Sequence, residues 1–459
     1  MSILAFSTCS NAFGESIYTS RIWKKTMRWV TYEAAKAFYR RHGSAILLIL
    51  SAVVFFVALY YVLDTYPPKD DVINFHNQAE MIKSGMVPYK DFVFEFPPFA
   101  LLFFLIPSMF TSELDTYAQI FGIMVTLISI ICLYYVLKIS ERMGVNKAVV
   151  TFIFVALMLL YYKELVVKFD TIPMALTIMS IYYFQRGNRH IAYGLAMVGA
   201  LVKIYPIFLI VVFLILDLVD RRDSRRVRIL RGLFSCMLVG LISIAPLLVA
   251  GASFGDIMSF LTFHTERGFQ VESVAGVVIQ ALGLLGLTTF SLENIYGTYD
   301  VISPVSDAIL PYWNVLVAIV ILLVLFVIAR HAIREGSAGS SDRNVVIYVT
   351  VVFLAFILTN KVFSTQYMLW LFPLFALIAS VPGRRQNWLM IAYLLIIELL
   401  AAIMMMDYLP GTGLFVEENL IRDAMMIALM VSLLLYIAGK GRIFAHHYRK
   451  DKVVKGGCA

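Results

Sequence analysis

The chain has 459 residues, of which 61% are hydrophobic and 15% are charged, and its mean hydropathy is +0.83. Soluble domains carry about 25% charged residues, so this composition excludes an ordinary soluble protein. The net charge of +8 does not indicate nucleic-acid binding, because Lys and Arg lie in short tracts between apolar runs, as in cytoplasmic loops that face anionic headgroups.

The N-terminal residues lack the pattern of a signal peptide. Residues 21–41 instead interleave basic residues with aromatic ones, which predicts a basic amphipathic helix on the cytoplasmic membrane surface. We therefore predict that residues 1–43 form a cytoplasmic amphipathic segment and that residues 440–459 form a basic cytoplasmic tail.

Apolar runs of about 20 residues, each long enough to cross a hydrocarbon core of about 30 Å, recur through the rest of the chain. They do not alternate as the strands of a membrane barrel would. We predict an all-α polytopic membrane protein with a single transmembrane domain over residues 44–439. The twelve predicted spans are residues 44–64, 117–137, 147–162, 171–185, 190–202, 205–219, 229–251, 308–330, 344–360, 366–382, 387–406 and 422–439.

The distribution of basic residues sets the predicted orientation. With both termini cytoplasmic, 29 of the 38 Lys and Arg lie in inside segments, as the positive-inside rule requires. Residues 97–110 are apolar, but so short a run suits an interfacial or re-entrant segment, and counting it as a span would disturb the later loops. External material is then concentrated in two long loops, residues 65–116 and 252–307.

The four cysteines are not expected to carry chemistry, because they have neither metal-ligand spacing nor an external pair for a disulfide. We expect inert thiols and no cofactor, while the sequence leaves a need for a divalent metal open. The four are Cys9, Cys132, Cys236 and Cys458.

The first long loop holds a cluster of carboxylates close to a membrane span. Asp70 and Asp71 follow the first span, and Asp91 and Glu95 lie among prolines that stiffen the backbone. Carboxylates are costly in hydrocarbon, so the cluster is expected in water or in a polar site. A carboxylate held at the interface could deprotonate a hydroxyl, and solvated loop charge is the alternative.

Further polar residues lie at the outer ends of later spans. Asp170 precedes Pro173, so it could cap a helix, serve a site, or both. Lys203 falls between two short apolar segments, where it could extend to the headgroups or bind a lipid phosphate.

In the second long loop, Arg267 is a natural bidentate ligand for phosphate. His264 could carry a proton or donate a hydrogen bond. The spacing of His264 to Glu266 and Glu272 matches no metal motif. Lys361 begins a polar segment at the opening of a later span.

Four segments together resemble the integral-membrane GT-C glycosyltransferases, specifically the family 87-like, polyprenyl-phosphate-mannose-dependent mannosyltransferases of prokaryotes. Two departures are Phe96, where Tyr is commoner, and Thr365, where Pro is commoner. The matching motifs are Asp71 to Phe75 with Gly85-x-x-Pro88-Tyr89 and Glu95-Phe96-Pro97-Pro98; Phe169-Asp170-x-x-Pro173 with Lys203-x-Tyr205-Pro206; His264-x-x-Arg267-Gly268-x-Gln270-x-Glu272-Ser273; and Lys361-Val362-Phe363-Ser364-x-Gln366-Tyr367-x-x-Trp370.

The resemblance implies a GT-C-type bundle of about twelve transmembrane helices, with interfacial helices in the two external loops. It also implies inverting transfer of a sugar, expected to be mannose, from a polyprenyl-phosphate donor to a lipid or glycan acceptor. An aspartate of the first loop, Asp71 with Asp70 in reserve, would deprotonate the acceptor hydroxyl. Arg267, Lys203 and Lys361 are the expected ligands of the leaving phosphate.

The remaining residues expected to bind substrate come from the first loop and from the matching motifs. They are Asp91, Glu95, Asp170, Tyr205, His264, Gln270, Glu272, Gln366 and Tyr367.

Two other functions stay open. A transporter or lipid flippase would place charge at mid-membrane depth, where Glu398 alone clearly qualifies. A polysaccharide ligase or polymerase would have similar spans but would use lipid-diphosphate donors. The expected partners are a polyprenyl- or dolichyl-phosphate sugar, an acceptor and membrane lipids, and we expect a monomer in the plasma membrane with an extracytoplasmic site. The sequence leaves open the sugar, its linkage, the acceptor and the polyprenol.

Overall fold

The structure is a computed structural model that describes residues 16–65, 70–220, 224–265, 267–295, 298–380, 384–406 and 410–439. The predicted basic tail, residues 440–459, and the beginning of the predicted amphipathic segment lie outside this described part. The chain divides into two compact units, Met1–Leu50 and Ser51–Ala459.

The described residues are mostly helical, with two 3-10 segments at Gly336–Ser340 and Thr365–Leu371. The α-helices are α1 (Ser16–Thr65), α2 (Asp70–Lys83), α3 (Ala100–Ser108), α4 (Leu114–Met143), α5 (Lys147–Leu160), α6 (Tyr162–Val167), α7 (Thr171–Gln185), α8 (Arg189–Val202), α9 (Ile207–Val219), α10 (Arg225–Val249), α11 (Phe254–Thr265), α12 (Val274–Leu284), α13 (Pro304–Glu335), α14 (Asp342–Thr359), α15 (Phe372–Ala379), α16 (Arg384–Met406) and α17 (Gly413–Ile437).

Each of the twelve predicted spans overlaps helical residues, and the all-α polytopic class is confirmed. The long helix α1 covers residues of both the predicted amphipathic segment and the first predicted span, and no proline interrupts it. The number of twelve spans and the cytoplasmic placement of the termini stay predictions. Within the described ranges, six helices are long and apolar enough to cross a membrane: His42–Thr65, Leu114–Met143, Arg225–Val249, Pro304–Glu335, Asp342–Thr359 and Gly413–Ile437.

The two long loops contain short helices, as the resemblance implies. In the first loop, α3 has nine residues and a length of about 14 Å, too short to cross a bilayer core. The second loop contains α11 and α12. It also contains a β-hairpin that was not expected from the sequence. Its strands, β1 (Ser291–Ile295) and β2 (Thr298–Ile302), pair antiparallel.

Aromatic packing fixes α2 against the bundle. Val72 and Phe75 are buried and lie three residues apart, on one face of the helix. The Phe75 ring stacks on Phe104 with centroids 4.2 Å apart and meets Phe169 edge-on at 5.6 Å, two favourable aromatic geometries. Asp71 lies one turn before Phe75, so this packing also sets the position of its carboxylate.

A buried ion cluster ties α8, α9 and α10 together. Asp217 of α9 is fully buried, and Arg189 Nε lies 2.9 Å from both of its carboxylate oxygens. The Tyr193 hydroxyl donates to the same carboxylate at 3.1 Å, and Arg228 Nε lies 3.5 Å from it. One carboxylate therefore contacts cations from two neighbouring helices, and Asp220 pairs with the second cation, Arg228, at 3.0 Å.

Replacing Asp217 with alanine should destabilise the protein strongly. Removing one partner of a buried ion pair leaves uncompensated charge and typically costs about 3–5 kcal/mol. Thermal unfolding in detergent checks the expectation. Asp115→Ala, which removes an exposed carboxylate, is the control and should change stability by less than about 0.5 kcal/mol. Equal melting temperatures for the two variants would contradict it.

Candidate active site

A cavity of about 620 Å³ lies within the second unit, lined by residues of both long loops and by the ends of several helices. Its size suits a small-molecule site. The predicted site residues that line it are Asp71, Glu95, Asp170, Lys203, Arg267, Gln270, Lys361, Gln366 and Tyr367.

Asp71 forms an ion pair with Lys168, which lies directly after α6. The Asp71 side chain remains 39% exposed, so the pair leaves the carboxylate accessible. Burial of Lys168 favours its neutral amine, but the charges of Asp71, Glu164 and Asp170 outweigh this effect and raise the pKa of Lys168. Asp71 is therefore an accessible carboxylate with a cation held beside it.

The buried Asp170 forms an ion pair with the partly buried Lys203, with Nζ 2.6 Å from Oδ1. The indole N–H of Trp370 donates to the same carboxylate oxygen at 2.7 Å. Asp170 occupies the N-cap position of α7 but accepts no capping hydrogen bond, so the capping alternative is wrong. Its side chain is committed instead to the ammonium and indole donors, which are stronger partners inside a protein than a helix end.

Aromatic rings surround the Lys203 ammonium. The centroids of Phe169, Tyr367 and Trp370 lie 5.1, 4.9 and 5.3 Å from Nζ, within cation–π range. Tyr367 and Tyr205 each stack against Trp370, with ring centroids 4.2 and 3.9 Å apart. Tyr205 is fully buried and supports Trp370 rather than lining the cavity.

Backbone hydrogen bonds bring the cations of two distant segments together. The Gln270 N–H donates to the Lys361 carbonyl at 2.9 Å, and the Gly268 N–H donates to the Asp300 carboxylate at 3.0 Å. Asp300 interacts electrostatically with both Arg267 and Lys361. The unpredicted hairpin thus supplies the anion that supports the basic part of the lining.

One atom of Arg267 and one of Gln270, both at this basic part, lack partners among the described residues. Arg267 donates to Thr298, but its Nε is buried and has no hydrogen-bond partner within the described ranges, and neither has Gln270 Oε1. Burial lowers the pKa of Lys361, against the effect of the Asp300 charge. Unpaired buried groups are costly, so a ligand that bonds to them would be strongly favoured.

A second buried network lies behind the lining. The Glu272 carboxylate accepts a hydrogen bond from the Thr365 hydroxyl, and it does not line the cavity. Arg422 is fully buried and donates to the Glu272 carbonyl at 2.8 Å and to Asp423 Oδ1 at 2.7 Å. This network joins α17 to the two segments that carry Arg267 and Lys361.

Glu95 lines the cavity from the loop between α2 and α3. Burial raises the pKa of Glu95, and the Asp71 charge adds to this, while Arg267, Lys203 and Lys168 act against it. The Glu95 carboxyl group therefore takes up a proton more readily than an exposed glutamate.

Besides Tyr205 and Glu272, three further predicted site residues are not placed in the lining. Asp91 is exposed and accepts a hydrogen bond from the Val87 N–H at 2.7 Å, which closes a turn. The side chains of Asp70 and His264 lie outside the described part of the structure.

Sequence reasoning missed several residues of the lining. Lys168 precedes Asp170 by two residues, and this proximity to a predicted site residue could have identified it as part of the site. Trp370 belongs to a matching motif but reads as an ordinary interfacial aromatic. Thr298 carried no signal, because nothing in its neighbourhood indicates the hairpin.

Within the described ranges, no three or more His, Cys, Asp or Glu side chains lie close enough together to hold a metal ion. The expectation that the protein needs no cofactor stays a prediction.

Comparison with known proteins gives a family match and likenesses to solved structures. The sequence model of the family described as Glycosyltransferase family 87 matches residues 94–359. No curated protein matches the chain significantly. The structure is similar to the crystal structure of ArnT from Cupriavidus metallidurans bound to undecaprenyl phosphate, with 14% identity and a TM-score of 0.44, over 86% of this chain and 77% of that one.

The raised pKa of Glu95 predicts a pH-dependent effect of Glu95→Gln. The folded protein holds the Glu95 proton more tightly than the unfolded chain, whose glutamate pKa is about 4.3. The contribution of Glu95 to stability is therefore present below that pH and is lost as the pH rises through the raised value. The variant should gain in melting temperature relative to the wild type as the pH rises from about 4 through that raised pKa.

Thermal unfolding in detergent across this range provides the measurement. Glu293→Gln, at an exposed position of β1, is the control and should follow the wild type at every pH. A Glu95→Gln curve that stays parallel to the wild-type curve would contradict the expectation.

Proposed function

Because this chain belongs to glycosyltransferase family 87, we propose that it transfers mannose from a polyprenyl-phosphate donor to a lipid or glycan acceptor at the extracytoplasmic face of the cell membrane. The observation that carries the proposal is the pairing, in one cavity, of the Asp71 carboxylate with the cations Arg267 and Lys361. The carboxylate can activate the acceptor hydroxyl, and the cations can stabilise the phosphate that is released.

The basic part of the lining suits a lipid phosphate. Arg267 can donate from its partnerless Nε, and Lys361 adds a second cation. Lys203 is already engaged with Asp170, so we assign it to holding the lining rather than to the phosphate. An apolar part of the same lining can take the first carbons of the polyprenyl chain; it includes Phe260, Leu261, Trp313, Val317 and Phe356.

In the proposed reaction, Asp71 is the general base. The acceptor hydroxyl oxygen attacks the anomeric carbon, and the hydroxyl proton passes to the Asp71 carboxylate. The bond from the anomeric carbon to the phosphate oxygen breaks, and the lipid phosphate leaves with the electron pair. Attack opposite the leaving group inverts the anomeric configuration.

The leaving group gains negative charge as the bond breaks. Arg267 and Lys361 are positioned to stabilise that charge, an effect that is large when the donors are preorganised and shielded from water. A phosphate that is stabilised in this way needs no general acid, so one base suffices.

Asp71→Asn should abolish transfer while the protein still folds. Asparagine keeps the shape but cannot accept the proton, and loss of a general base lowers kcat by about 100-fold or more. The measurement is mannose transfer from undecaprenyl-phosphate mannose by purified protein in proteoliposomes, with Asp115→Asn as a control of equal chemistry at an exposed site.

Two results would change the assignment of the base. An active Asp71→Asn variant with an inactive Asp70→Asn variant would move the base by one residue. Activity in both single variants and in the double variant would overturn the loop-aspartate mechanism.

The donor class separates this proposal from its rivals. We expect transfer from the lipid-monophosphate sugar and none from the lipid-diphosphate sugar, because the proposed site holds one leaving phosphate. A total extract of membrane lipids and glycans serves as the acceptor, and release of lipid monophosphate is measured. Transfer from the diphosphate donor alone would favour a ligase or polymerase, and substrate counterflow without transfer would favour a transporter.

A further inference from the structure

We infer that Glu95 binds hydroxyl groups of the transferred sugar and so selects which sugar is accepted, an inference that rests on the proposed function. The argument uses the partners of the carboxylates in the cavity, the charges around Glu95 and the backbone that holds it.

The carboxylates of the lining differ in what they already bind. Asp71 is paired with Lys168, and Asp170 accepts from both Lys203 and Trp370 through Oδ1, while its buried Oδ2 has no partner within the described ranges. Across the part of the chain that the structure describes, no residue donates a hydrogen bond to Glu95, although it lines the cavity. Its two oxygens are therefore available for donors that a ligand brings.

Glu95 shares the cavity lining with both ends of the proposed reaction. Asp71, the proposed base, and Arg267, the proposed phosphate ligand, both act electrostatically on its carboxyl group, as do Lys168 and Lys203. In an inverting displacement, the sugar ring occupies the space between the base and the leaving phosphate. A carboxylate in the same lining as both groups is therefore available to contact the ring.

The backbone before Glu95 is held in an unusual conformation. Tyr89 has a φ of 67°, and it is the one non-glycine residue with positive φ in the described ranges. Such a conformation is strained, and it persists only where the surroundings enforce it, as at binding sites. The buried Tyr89 hydroxyl donates to the Phe96 carbonyl at 2.6 Å, which closes the loop around Glu95.

The next residues anchor the loop from the other side. Phe96 packs edge-on against Phe75 and Phe169, with centroids 5.9 and 5.0 Å apart. Pro97 follows and fixes its own φ. The backbone at Glu95 is thus fixed on both sides, and a side chain carried on a preorganised backbone favours recognition of neutral hydroxyl groups.

The chemistry of the Glu95 carboxylate determines the class of ligand that it can bind. An ionised carboxylate accepts hydrogen bonds and donates none, so it suits one or two sugar hydroxyl groups. A buried carboxylate that loses its donor is left unpaired, so a sugar without the matching hydroxyl should be rejected. Glu95 would then be a specificity-determining residue, distinct from the base.

The test pairs variants of Glu95 with altered donors. Undecaprenyl-phosphate mannose is compared with its 2-, 3-, 4- and 6-deoxy forms, for the wild type and for Glu95→Ala, Glu95→Gln and Glu95→Asp. In the wild type, removing the recognised hydroxyl should lower kcat/KM by about 10- to 100-fold. In Glu95→Ala, the same deletion should cost nothing further, while deletions at other positions keep their wild-type effect.

This non-additivity is a readout that a merely structural role would not produce. The conservative variants keep the test open if Glu95→Ala folds poorly, and Glu95→Asp should show a reduced penalty at the same position. Glu293→Ala is the matched control and should retain every wild-type penalty.

Each other outcome overturns the inference. Deoxy penalties that are identical in the wild type and in the Glu95 variants would remove Glu95 from sugar recognition. A complete loss of turnover in Glu95→Gln, together with an active Asp71→Asn, would make Glu95 the base instead. If the wild type transfers sugar from no lipid-monophosphate donor, then the proposed function itself fails. That result is distinguishable from the two outcomes above, in which the wild type is active.

Discussion

An ammonium and a carboxylate buried among aromatic rings, Lys203 and Asp170, hold together three parts of the chain: the start of α7, the end of α8 and the segment Thr365–Leu371. An isolated charge at such depth costs several kcal/mol, so neither partner can leave without the other. Trp370 donates to the pair and packs over the ammonium. The position of the cavity lining follows from this one constraint.

Hydropathy and charge predicted the helical membrane class because both are properties of long segments. The cavity was harder to predict, because its partners are distant in sequence. Lys168 was visible only as an external lysine, whereas its ion pair with Asp71 depends on how α2 docks. Asp170 has the local pattern of a cap, and a tertiary partner, Lys203, overrides that local preference.

The hairpin shows a second limit. Its two strands have five residues each and lie in a loop without strong alternation, so no periodic signal predicts them. Yet Asp300 of β2 interacts with both Arg267 and Lys361. Family motifs named these two cations, but only the fold explains why two like charges can lie together.

The hydrogen bond from Arg422 to the Glu272 carbonyl also has a consequence for biosynthesis. The ribosome produces α17 last among the described helices, and Arg422 belongs to it. Until that helix enters the bilayer, the segment bearing Arg267 lacks this support. During synthesis, the cavity lining therefore stays without this support until the last of the described helices has been made and has packed against it.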